Sequence, residues 1–64
     1  MSYAEFKAKI VKAYPGFNIH FTSNGAQHMA VIGELVLYMN AGSDAIYGMM
    51  NGVAIGRATG FDYE

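Results

Sequence analysis

The chain has no cysteine, a single proline and few charges, with four basic and five acidic side chains among 64 residues. Each scarcity closes something off. Without cysteine there are no disulfides and no thiolate metal sites. Two histidines leave little from which to build a structural metal centre, and no cofactor is expected. Four basic residues and a formal net charge of −1 argue against a nucleic-acid binder, which normally carries a basic stripe. No run of about 18 uninterrupted apolar residues occurs, so no membrane span is expected. The N-terminus mixes acid and base through its apolar residues, unlike a signal peptide, which leaves a cytoplasmic location as the default expectation.

What is present is apolar: 53% of the residues are hydrophobic. The length allows one domain, residues 1–64, and that domain is marginal. Chains of this size bury only about 60% of the surface they expose when unfolded. Folds below roughly 70–80 residues are usually reinforced by disulfides, metals or oligomerisation. Oligomerisation is the reinforcement left open. A soluble surface usually carries roughly 25–35% charged residues, whereas the whole chain here is 14% charged. The expectation is an apolar patch on the monomer that is covered by a partner, most simply a second copy.

Ser2 followed by Glu5 is a capping-box signature. Tyr3, Phe6, Ile10 and Tyr14 recur at helical spacing, with Val11 at the stripe's edge and Glu5, Lys9 and Lys12 opposite. Pro15-Gly16 stops this helix, over about 2–14. Residues 18–22 alternate as a half-buried strand, with Ile19 and Phe21 on one side, and 23–25 read as a tight turn. Residues 27–39 read as one long strand. One parity is Met29, Val31, Gly33, Leu35, Leu37 and Met39; the other is His28, Ala30, Ile32, Glu34, Val36 and Tyr38. A strand apolar on both sides is normally covered on both, and one helix covers only one. Gly33 reads as a bulge; a break at Gly33-Glu34 is the alternative. A three-residue turn sets His20 opposite His28, a two-residue Asn24-Gly25 turn sets Phe21 there, and the first keeps the apolar side coherent.

Residues 43–60 allow three readings. In the first, Ser43-Asp44 caps a short helix over about 44–51, with Ile46, Met49, Met50 and Val53 at helical spacing, followed by a strand over 53–58. In the second, Asn51-Gly52 is a type I′ turn joining strands 45–50 and 53–58, and Tyr47 faces Gly56. In the third, Gly48, Gly52, Gly56 and Gly60 form a small-xxx-small helix of the kind found in membranes, which four glycines disfavour in water by about 4 kcal/mol. The first is preferred. Residues 59–64 read as a loose tail.

Chemistry is sparse. No serine–histidine–acid set can be assembled, the carboxylates show no catalytic spacing, and no enzymatic activity is expected. Glu34 reads as a strand-edge or bulge residue facing water. His20 and His28 are weak metal candidates, since facing imidazoles supply two ligands only. Arg57, Thr59, Tyr47 and Gly56 are the candidates for binding a ligand or partner: small neighbours leave a guanidinium able to meet a carboxylate or phosphate. Ile32, Val36, Tyr38, Met49 and Met50 are the candidate oligomer interface. The combined expectation is an α+β fold, an N-terminal amphipathic helix on a small antiparallel sheet (αββαβ, with αββββ second), assembled as a homo-oligomer. Its expected role is that of a small non-enzymatic inhibitor or modulator of a larger protein. Many minimal chains of that kind are phage-encoded. The alternatives are an oligomer that sequesters a small anionic or nucleotide ligand and a membrane-associated small protein.

Overall fold

The structure, a computed structural model, describes residues 1–58. One helix, α1 (Tyr3–Ala13), precedes five strands: β1 (His20–Ser23), β2 (Gln27–Ile32), β3 (Leu35–Asn40), β4 (Tyr47–Met50) and β5 (Val53–Arg57). The strands form one antiparallel sheet in the order β1-β2-β3-β4-β5.

The helix begins as its capping signature requires. Ser2 Oγ accepts from the Glu5 N–H at 3.1 Å, and the Glu5 carboxylate accepts from the Ser2 N–H at 3.3 Å. Both satisfy donors that a helix start leaves without intrahelical partners. Phe6 and Ile10 are fully buried on the sheet, and Tyr3 and Tyr14 pack beside them, whereas Val11 stays 51% exposed. The core is completed by Ala30, Leu37, Met39 and Ile46.

The region read as one long strand is two. Gly33 and Glu34 are a two-residue loop, with Ile32 paired to Leu35. Gly33 has φ 60°, as the first loop position of a type II′ hairpin turn needs. An unbroken strand would also require a longer molecule. Thirteen extended residues span about 43 Å, and the longest dimension of the molecule is 26 Å. Reversal also exchanges the parities. His28, Ala30 and Ile32 share the helix side with Leu35, Leu37 and Met39, while Met29 and Val31 share the other side with Val36 and Tyr38.

The preferred helix over 44–51 is also absent. Residues 47–50 are β4, and Asn51-Gly52 is the hairpin turn of the second reading. Both turn residues have positive φ, 53° and 77°, which a type I′ turn demands. The capping signature at Ser43-Asp44 serves a turn: Ser43 Oγ accepts from the Ala45 N–H at 3.1 Å, and Asp44 holds the Met1 amino group at 2.9 Å. A bulge between β4 and β5 then moves the register by one residue, so Tyr47 faces Arg57 and Gly56 faces Gly48. Among the described residues the architecture is therefore α+β with one helix and five strands, in place of αββαβ or αββββ. The expected tail over 59–64 lies outside the described residues.

Candidate interaction surface

The helix covers one side of the sheet. On the other side, the strand pairings align side chains in two rows that run across all five strands. The first row is Thr22, Met29, Tyr38, Tyr47 and Arg57. The second is His20, Val31, Val36, Met49 and Ala54. The alternation of a pleated strand forces this: once Ala30 and Leu37 face the helix, their neighbours must face away.

The centre of this open face is apolar and its charge-bearing groups lie at the margins. Met29, Val31, Val36, Tyr38 and Met49 are partly buried, and Tyr47 is 38% exposed. Tyr38 and Tyr47 stack with ring centroids 6.0 Å apart and an interplanar angle of 28°. Arg57 and His20 occupy diagonally opposite corners, and neither row contains an acidic residue. Such a face can bury aromatic and aliphatic surface behind a polar rim.

The sequence-derived candidates are divided by this geometry. Arg57 and Tyr47 are brought together as cross-strand neighbours, whereas Gly56 lies in the bulge with φ 80° and Thr59 lies outside the described residues. Val36, Tyr38 and Met49 share the open face, but Ile32 and Met50 are on the helix side. Met29, Val31 and Ala54, which the sequence does not mark as interface residues, belong to the face, and so does His20, which the sequence offers only as a weak metal candidate. Only the position of the chain reversal could have assigned them.

The histidines do not face one another. Asn24 Oδ1 accepts from the Ala26 and Gln27 N–H groups, and the Asn24 N–H reaches the Gln27 carbonyl at 3.2 Å. These bonds centre the tight turn on Gly25-Ala26, later than either expected register. His20 therefore pairs with Val31 on the open face and His28 with Ser23 on the helix side. His28 is buried rather than water-facing. Its Nδ1 shares a 2.7 Å hydrogen bond with Ser23 Oγ, Tyr3 stacks on its ring at 5.0 Å, and Phe6 lies at 5.9 Å. Among the described residues no three histidine, aspartate or glutamate side chains come together as metal ligands. Glu34 is exposed on the β2–β3 turn.

No helix among the described residues is long and apolar enough to cross a membrane. The chain matches no protein-family model, no curated protein and no solved structure.

Proposed function

We propose that this chain is a non-enzymatic, homo-oligomeric binding protein that inhibits or modulates a larger protein by covering part of its surface. The open sheet face carries this reading. Its composition is that of an interface centre: stacked tyrosines, methionines and β-branched residues, with one arginine at the rim and no acid. Tyrosine and arginine are the residue types in which binding energy concentrates. Tyr38, Tyr47 and Arg57 are the proposed anchors, and an acidic or acceptor-bearing rim on the partner would meet Arg57.

The test compares the full chain with a Tyr47→Ala/Arg57→Ala variant. Both are used for affinity capture from cells, and binding of each captured protein is then titrated with purified components. The reading expects a defined partner whose affinity falls tenfold or more in the variant, with the melting temperature of the free chain nearly unchanged. Equal capture by both proteins would sink it. So would a thermal shift of the wild-type chain by a nucleotide with no protein partner, which would favour ligand sequestration.

A further inference from the structure

We infer that two copies of this chain associate through the outer edge of β5, pairing antiparallel about Ala54 to make one ten-stranded sheet. This rests on the homo-oligomeric part of the function proposed above and assigns its surface. The edge is exposed along its whole length, and the chemistry of its backbone specifies another strand as occupant. Met50 and Val53 flank a two-residue loop as a hydrogen-bonded pair, so the next residue, Ala54, directs its N–H and C=O away from β4.

The side chains favour self-pairing. Val53 and Ile55 are 65% and 56% exposed and lie on the helix side, while the side chain of Ala54 is on the open face. Pairing about Ala54 sets Val53 beside Ile55 of the partner subunit, twice by symmetry, with the small Ala54 pair at the axis. Met50, 41% exposed, flanks the same apolar strip. Ile55 already reaches over Gly48, in the space a Cβ there would need, so the strip is continuous with the core.

The bulge and the charge choose the register. The bulge leaves Ile55 with no residue opposite it on β4 and Gly56 has φ 80°, so the outer-edge pairing is confined to Ala54 and its two neighbours. Natural edges are commonly blunted by a charge or a bulge; here both sit at the end of β5 and leave its beginning bare. With Ala54 at the axis, each Arg57 lies beyond the paired residues, toward the partner subunit's β4–β5 turn. The two guanidinium groups are then about 20 Å apart, beyond the screening length of about 8 Å at physiological salt. The opposite edge, β1, presents the polar sequence His-Phe-Thr-Ser and has no comparable aliphatic strip.

The decisive experiment is sedimentation equilibrium of the full chain against Val53→Lys and Val36→Glu. Val53 is mostly exposed, so its replacement leaves the monomer fold intact, which circular dichroism verifies. The expectation is a concentration-dependent species of twice the 6.9 kDa chain mass, weakened at least tenfold by Val53→Lys and retained by Val36→Glu. Hydrogen exchange should show the Ala54 amide protected in the wild type at high concentration and unprotected in Val53→Lys. A wild-type monomer at hundreds of micromolar would overturn this inference together with the homo-oligomeric reading. A dimer insensitive to Val53→Lys but broken by Val36→Glu would overturn the β5 edge alone and assign self-association to the open face.

Discussion

At the scale of single residues, the most telling contact is Ser23 with His28. Burial of an imidazole between Tyr3 and Phe6 is tolerated because Nδ1 is satisfied by Ser23 Oγ, which also accepts from the Gly25 N–H at 3.2 Å. Removing one partner of a buried polar pair leaves the other desolvated, whereas removing both can be nearly neutral. Ser23→Ala should therefore cost about 1–2 kcal/mol in urea unfolding, and Ser23→Ala/His28→Leu should lose less than the sum of its single changes. A fully additive double variant would mean that the two side chains act independently. None of this was legible in the sequence. His28 sits in a run whose two parities are both largely apolar, and its side of the sheet depends on where the chain turns twice.

At the scale of elements, the helix cap and the turns carry the local specification. Ser2→Ala should cost about 1 kcal/mol, the usual worth of such a cap. The Glu5 carboxyl is held below its ordinary value of 4.5, chiefly by the backbone N–H of Ser2 and then by the Ser2 side chain. A depressed folded-state pKa stabilises the fold above the ordinary value, and that contribution is lost as pH falls through the folded value. Relative to Glu5→Gln, the wild-type chain should thus lose stability as pH falls below the ordinary carboxylate value, measurable as melting temperature against pH; parallel curves would remove the carboxylate from the account. The turns make a second demand. Gly52 has φ 77°, a conformation that costs an L-residue about 1–2 kcal/mol. Gly52→Val should destabilise by at least that amount, most visibly as faster amide exchange across β4 and β5.

At the scale of the whole molecule, one helix on a five-stranded sheet covers a single side of it among the described residues. Phe6 and Ile10 bury the middle of one side, the opposite side has no covering element among the described residues, and the β4–β5 hairpin projects Met50, Val53 and Ile55 beyond the core. The low charge content and the uncovered surface are two views of one fact. If the open face and the β5 edge serve different partners, their variants should separate cleanly. Tyr47→Ala/Arg57→Ala should weaken binding of the larger protein tenfold or more in a chain that still dimerises, and Val53→Lys should yield a monomer that still binds it, with affinity reduced only by lost bivalency.

The sequence by itself determined the helix, its cap and its buried stripe, because a 3.6-residue period and a capping box are local signals. The apolar surplus is equally plain in the composition, whereas the turns at Gly33-Glu34 and Asn51-Gly52 stand in the sequence only as second readings, behind a bulge and a helix end. Tertiary structure decided which parity of each strand meets the helix. When both parities are apolar, alternation alone does not say whether a strand continues or reverses, and only packing against the single helix breaks the tie. That choice put His28 in the core and aligned Met29, Val31, Val36, Tyr38, Tyr47 and Met49 on the open face.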